Sequence, residues 1–116
     1  MIAVVQRCSN SSVEVSGDVV GSIKNGLVIF LGILKEDDLD DVDYLVRKIN
    51  TIRIFNDNDG KMNLSLKEVG GSVLIISQFT LCAELSSGRR PSFKKAKSPS
   101  ESKILYEEFI LHFKRQ

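Results

Sequence analysis

The sequence predicts a mixed α/β (α+β) protein, a mostly antiparallel sheet carrying two helices. Three observations predict it. Short β-rich runs separated by Gly, Asn and Asp turns fill most of the chain. Two segments instead space their apolar residues three and four apart, the helical period. The runs come in the order β-β-β-β-α-β-β-β-α, which leaves a mostly antiparallel sheet.

Ile2 to Gln6 is the first expected strand. Val13 and Val15 alternate with Glu14, the chain turns at Ser16-Gly17-Asp18, and Val19-Val20 resumes the pattern, which marks a hairpin. Asn25-Gly26 is the next turn, with residue types suited to positive φ. Leu27 to Leu34 (LVIFLGIL) is continuous and apolar, as expected of a central strand covered on both faces.

The period then changes. Leu39, Val42, Leu45, Val46, Ile49 and Ile52 define an amphipathic helix. Its start holds Glu36, Asp37, Asp38, Asp40, Asp41 and Asp43, and Arg47 and Lys48 stand near its end, which matches the helix dipole. This acidic run reads as a solvated helix start rather than a cation site, because no Gly-centred loop or spaced carboxylate series accompanies it. Ile52 to Phe55 reads as a strand, Asp59-Gly60 as a turn, and Leu64 to Gly71 as a short strand ending in two glycines. Val73 to Leu81 (VLIISQFTL) is the next strand. Strand alternation would put Ser77, Phe79 and Leu81 on one face, and Gln78 and Thr80 on the other. Cys82 to Lys97 is a long polar loop. Ser98, Pro99 and Glu101 then predict a capping box opening a second helix, whose apolar face is Ile104, Leu105, Phe109, Ile110 and Phe113.

At 116 residues the chain fits one domain, residues 1–116. The second helical pattern reaches Gln116 with no Gly or Asn cap. The apolar strands have few partners. Both features lead us to expect a C-terminal segment that is absent from this chain or supplied by another subunit. No signal-peptide pattern is present, and the longest apolar run is far below a membrane span, so a soluble cytoplasmic protein is expected. The two cysteines, Cys8 and Cys82, lie far apart without metal-ligand spacing and read as free thiols.

Conventional nucleophilic catalysis finds little support. The single histidine, His112, lies among Leu111 and Phe113 and reads as packing. Without it, Ser77, Thr80 and Cys82 lack a general base. What remains is the polar end of the strand, where Ser77, Gln78 and Thr80 stand beside backbone N–H groups that could hold a carbonyl or an oxyanion; a strand simply leaving the core is the plainer alternative. The other feature is the loop GRRPSFKKAK, which gathers Arg89, Arg90, Lys94, Lys95 and Lys97 around Phe93 without an acid. With a formal net charge of only +1, that clustering suggests a phosphate-backbone patch, against the plainer reading of a solvated loop.

The segments QR (Gln6-Arg7), VEVSGDVVGSI, GLVIFLGI, RIFNDNDGKMNLS, SQFTL and GRRPSF, taken in order, resemble the D-aminoacyl-tRNA deacylases, also called D-tyrosyl-tRNA deacylases. The resemblance spans essentially the whole chain. It implies a β-barrel-like homodimer with active sites at the subunit interface and no metal or other cofactor. It implies hydrolysis of the ester joining a D-amino acid to the 3′ end of tRNA, with glycyl-tRNA as a further substrate. It places Ser77, Gln78, Phe79 and Thr80 at the aminoacyl-adenosine pocket and Arg7 near it. Thr80 is either the nucleophile or a bystander to a water activated by the terminal ribose, with the Phe79 N–H holding the carbonyl oxygen. Arg89, Arg90, Lys94 and Lys95 are then expected on the tRNA backbone. The family's Asn-x-Gly-Pro-x-Thr motif, which excludes L-amino acids, does not occur in this sequence, where the prolines are Pro91 and Pro99. A non-catalytic nucleic-acid-binding module using the loop at 88–97 is the alternative reading, and a remnant that folds only with a partner is another.

Overall fold

The computed structural model describes residues 1–116. Seven strands and three helices follow in the order β1 (Ile2–Cys8), β2 (Ser11–Val15), β3 (Asp18–Ile23), β4 (Gly26–Gly32), α1 (Leu39–Thr51), β5 (Phe55–Asn56), β6 (Met62–Leu64), α2 (Leu66–Val69), β7 (Ser72–Ser77) and α3 (Pro99–Lys114). A 3-10 turn, Phe79–Cys82, follows β7. No helix is long and apolar enough to cross a membrane.

The chain divides into two compact units. One comprises Met1–Val4, Phe30–Val46 and Ile76–Gln116, the other Val5–Ile29 and Arg47–Ile75. The first buries Leu31, Ile33, Val42, Val46, Leu105 and Phe109; the second buries Leu27, Ile29, Ile49, Phe55 and Leu66.

The strands do not close into a barrel. They form a three-stranded sheet, β1-β4-β7, and two separate antiparallel hairpins, β2-β3 and β5-β6. A barrel needs a ladder continued all the way round, and here β1 and β7 are sheet edges. Nor is the larger sheet wholly antiparallel. Ser72 N–H donates to Asn25 O at 3.0 Å and Gln78 N–H to Leu31 O at 2.8 Å. The numbers rise together on both strands, so β7 runs parallel to β4. A central strand with a parallel neighbour is covered on both faces. Leu27, Ile29 and Leu31 are buried on one face of β4 and Val28 on the other, as the sequence predicts.

The β2-β3 turn falls on Ser16 and Gly17, at φ 52 and 85, the paired positive values that suit strand twist. Gly26 serves a different end from the one expected. Its φ is ordinary, but an added Cβ would meet Ser72 O at 1.8 Å. It is glycine because β7 lies directly against it.

Helix α1 buries Val42, Val46 and Ile49, three of the predicted positions, whereas Leu39 is exposed. Its acids serve the backbone. Asp38 Oδ1 accepts from the N–H groups of Asp40 and Asp41 at 3.0 and 3.3 Å, and Asp41 Oδ2 accepts from Asp38 N–H at 3.0 Å. That reciprocal arrangement satisfies donors that every helix start leaves open. Asp37 Oδ2 accepts from Leu34 N–H at 2.7 Å and lies 2.7 Å from the Met1 ammonium, with both side chains nearly buried.

Two further expectations change. The span read as a strand at Leu64 to Gly71 holds helix α2, capped reciprocally by Ser65 and Glu68: Ser65 Oγ accepts from Glu68 N–H at 3.2 Å, and Glu68 Oε1 accepts from Ser65 N–H at 3.1 Å. The capping box predicted at Ser98 does not form. Ser98 is the N-cap of α3 and Pro99 opens the helix, but the Ser98 side chain makes no cap bond. On α3, Leu105 and Phe109 are buried while Ile104 is exposed. The strand expected at Ile52 to Phe55 shrinks to β5, which begins at Phe55.

Candidate active site

Strand β7 ends at Ser77, where the chain tightens into the 3-10 turn. Strand alternation therefore stops at Ser77, before Gln78 and Thr80, which it was expected to place on the opposite face. The cause lies in β4. A Cβ on Gly32 would meet Leu81 Cβ at 2.9 Å and Cys82 Sγ at 3.2 Å. The missing side chain at 32 leaves room for the turn to pack on the strand, and Cys82 Sγ reaches Ile33 O at 3.6 Å.

The turn's own bonds begin with Leu81 N–H to Gln78 O at 3.2 Å, followed by Ala83 N–H to Thr80 O at 3.1 Å. The N–H groups of Phe79 and Thr80 precede the first of these and have no intrahelical acceptor, as at any helix start. They are two adjacent backbone donors on a fixed turn. The side chains beside them are exposed, Phe79 by 60%, so the dry setting expected from the sequence is not present in the single chain. Gln78 Nε2 donates to Thr80 Oγ1.

Beside the turn is a cleft of about 450 Å3. Leu31 and Ser77 line it from the sheet and Ile33 from just past β4, Phe79 and Phe93 form an aromatic side, Lys97 edges it from the loop, and Ser102, Lys103 and Tyr106 edge it from α3. Phe79 and Phe93 meet edge to face, with centroids 5.1 Å apart and planes at 60°, a favoured aromatic geometry. Burial raises the Tyr106 phenol above its ordinary 10.0, so it stays neutral at pH 7. Ser77 and Phe79, both singled out in the sequence, thus share the cleft with Phe93. Gln78 and Thr80 stand next to it and do not line it. Tyr106 escaped the sequence reading because a lone Tyr on a helix carries no motif; its spacing of three from Phe109 was the available signal.

Other nucleophilic chemistry is poorly served. Cys82 is buried, and desolvation raises its thiol above the ordinary 9.0, with the N-terminal charge opposing and Asp37 reinforcing. A thiol held protonated is a weak nucleophile. His112 stands 3.7 Å from Glu108 and 4.0 Å from Asp43 and does not line the cleft.

A family model described as D-Tyr-tRNA(Tyr) deacylase matches residues 4–116. The chain belongs to the D-Tyr-tRNA(Tyr) deacylase family. It is 56% identical over 110 residues to a D-aminoacyl-tRNA deacylase of Fervidobacterium nodosum, covering 95% of this chain and 74% of the relative. It is 53% identical over 115 residues to one of Sulfurihydrogenibium sp., covering 99% and 78%. Among solved structures, a c-Myc DNA Unwinding Element Binding Protein superposes with a TM-score of 0.92 at 33% identity, covering 97% of this chain and 76% of that one. A probable eukaryotic D-amino acid tRNA deacylase superposes with a TM-score of 0.81 at 17% identity, covering 96% and 65%, a likeness of fold.

The remaining family-like segments can now be placed. Arg7 belongs to the second unit, and the cleft to the first. Arg7 Nη1 donates to Ile54 O at 3.0 Å and to Asn56 Oδ1 at 3.1 Å. The deacylase segment RIFNDNDGKMNLS therefore holds Arg7, and it also holds itself. Arg53 Nε donates to Asn63 O at 2.9 Å, and Asp57 Oδ1 accepts from Asp59 and Lys61 N–H at 2.9 and 3.0 Å. The basic loop divides by role. Lys95 pairs with Glu84 at 3.3 Å and Lys97 donates to Lys35 O at 2.8 Å. Arg89, Arg90 and Lys94 are exposed to solvent.

Proposed function

We propose that the protein is a D-aminoacyl-tRNA deacylase, a hydrolase that cuts the ester between a D-amino acid and the 3′ end of tRNA. The observation that carries this is the family match over residues 4–116, joined by relatives of that name about half identical across nearly all of this chain. The chain spans about three quarters of those relatives' length.

The geometry supplies a chemistry for this reading. The 3′-terminal adenosine lies in the cleft with its base against Phe79 and Phe93, since a base offers a π-face to aromatic side chains. The ester carbonyl points at the N–H groups of Phe79 and Thr80. Water adds to the carbonyl carbon, and charge gathers on the carbonyl oxygen, where the two donors stabilise it. The C–O bond to the ribose then breaks, and the departing oxygen takes a proton. Water, activated with help from the neighbouring ribose hydroxyl, is the nucleophile, because no side chain near Thr80 can take its proton. Ser77 and Gln78 flank the substrate, and Arg7 binds it elsewhere with the N–H donors that its two bonds leave over. Arg89, Arg90 and Lys94 contact phosphates. Glycyl-tRNA is accepted as well, for it lacks the side chain by which the enantiomers differ.

The site works in a homodimer, with the exposed Phe79 surface covered by the second protomer, which supplies the dry setting that the single chain lacks. Residues 1–116 act as one deacylase domain, in the cytoplasm where charged tRNA is used.

The test is release of labelled D-Tyr from D-Tyr-tRNA, run beside L-Tyr-tRNA and Gly-tRNA. Rapid release of D-Tyr supports the proposal, and the L-Tyr-tRNA arm reads whether this sequence, which has no Asn-x-Gly-Pro-x-Thr motif, still separates the enantiomers. The likeness to a protein described as binding a DNA unwinding element keeps a second reading open, a non-catalytic nucleic-acid-binding module. Tight, salt-sensitive tRNA binding without D-specific release would favour it.

A further inference from the structure

The loop from Glu84 to Lys97 carries one side of the cleft, yet it has little apolar anchorage of its own. Leu85 is 57% exposed, and every residue from Ser86 to Pro91 is exposed. Ordering such a loop costs entropy that something must offset. Two sets of polar contacts do so. Lys35 N–H donates to Lys95 O and Lys97 N–H donates to Ile33 O, both at 2.9 Å, beside the bridge of Leu34 with Ala96. The other set converges on Glu84. Glu84 N–H donates to Ser92 O at 2.8 Å, and Ser92 N–H donates to Glu84 O at 2.9 Å. Glu84 Oε1 accepts from Ser86 Oγ at 3.1 Å and from Lys95 Nζ at 3.3 Å. The Glu84 backbone thus grips Ser92, the residue before Phe93, and its carboxylate grips Lys95, the second residue after it. Between those grips the Phe93 ring is held 5.1 Å from Phe79.

We propose that Glu84 is a positioning residue for the cleft: its carboxylate, through Lys95 and Ser86, fixes the loop so that Phe93 stands as an aromatic wall against Phe79. This rests on the deacylase reading for what the cleft holds, but not for the contact itself. It also gives Lys95 a different task from Arg89, Arg90 and Lys94. Lys95 closes the loop, and the other three remain available to phosphates. The Glu84 carboxyl is held below its ordinary 4.5, first by the Lys95 hydrogen bond and then by Ser86, so the grip is ionised at neutral pH.

Two readouts test this. In the first, 4-fluorophenylalanine replaces Phe93 and its fluorine resonance reports the neighbouring Phe79 ring. Glu84→Ala should move the resonance toward that of a solvent-exposed ring, and the charge exchange Glu84→Lys with Lys95→Glu should move it back. An unmoved resonance in Glu84→Ala overturns the proposal, whatever the protein acts on. In the second, Glu84→Ala should raise the KM for D-Tyr-tRNA by about two- to fivefold, the scale of a partly exposed ion pair, with kcat nearly unchanged. Added to Phe93→Ala, it should cost almost nothing more, because a residue acting through Phe93 has no effect once Phe93 is gone. Fully additive effects overturn it. A wild type that releases no D-Tyr defeats the deacylase reading instead, and the fluorine resonance still decides the role of Glu84.

Discussion

At the scale of single residues, the sharpest question concerns Thr80. Its hydroxyl accepts a hydrogen bond from Gln78, and a hydroxyl nucleophile needs a base to receive its proton. Cys82 is buried and His112 lies on α3 between two carboxylates, so neither fills that role. Thr80→Ala should therefore keep kcat within about tenfold of wild type, whereas removal of a true nucleophile costs orders of magnitude more. Single-turnover release of D-Tyr checks it, and a drop of a thousandfold with substrate still bound would make Thr80 the nucleophile. Asp57 gives a second prediction, this one on stability. The Lys61 N–H bond leads the causes that hold its carboxyl below the ordinary 3.8, with desolvation opposing and the Asp59 and Asn63 bonds assisting. A depressed folded value means that the ionised form is favoured by folding. Its contribution is present above 3.8 and is lost as pH falls through the lower folded value. The urea midpoints of wild type and Asp57→Asn should differ at pH 7 and converge as the medium is acidified below that range. A gap that persists unchanged in acid would mean that the charge of Asp57 is not what the turn uses.

At the scale of elements, what could be read from the sequence depended on whether the deciding contact was local. The β2-β3 hairpin was legible because Ser16-Gly17 between alternating valines is its own instruction. Strand β4 was legible because covering both faces leaves a continuous apolar run. Helix α2 was missed because LKEV is too short to show a period, although Ser65 and Glu68 stood three apart as a capping pair; the similar pair at Ser98 and Glu101 was read and does not form. The end of β7 could not be read locally at all. Whether Phe79 continues a strand or begins a turn is decided by Gly32, dozens of positions away in the sequence, whose missing Cβ admits Leu81 and Cys82. That dependence yields a prediction. Gly32→Ala brings a methyl to 2.9 Å from Leu81 Cβ, an atom tied to its backbone, so the turn itself must move. Overpacking of this kind costs about 1–3 kcal/mol, tolerable for a folded domain. The displaced Phe79 and Thr80 donors should cost more in rate, about tenfold or greater in kcat, since a shift of an ångström can cost a hundredfold. Circular dichroism with a kcat measurement separates the two effects. Unchanged kcat in a folded variant would detach the turn from catalysis.

At the scale of the whole molecule, charge is the organising quantity. Sixteen Lys and Arg nearly cancel fifteen Asp and Glu, so no bulk attraction to nucleic acid exists and any affinity must be local. The acids are spent in part on backbone donors, as at Asp38, Asp41 and Asp57. Of the basic loop, Lys95 and Lys97 are engaged within the protein. Arg89, Arg90 and Lys94 are the members left to meet a polyanion. Each phosphate neutralised releases bound counterions, so the logarithm of the binding constant falls with that of the salt concentration by about 0.7 to 0.9 per contact. If all three residues meet phosphates, replacing them with Gln should reduce that slope by about 2 to 3. Replacing Lys95 instead should leave the slope nearly unaltered and weaken binding through the loop. Titrating a non-hydrolysable D-aminoacyl-tRNA analogue across a range of salt concentrations distinguishes the two. Equal slopes for the triple variant and wild type would remove the loop from the tRNA path and send the search for phosphate contacts to the other exposed cations of the chain.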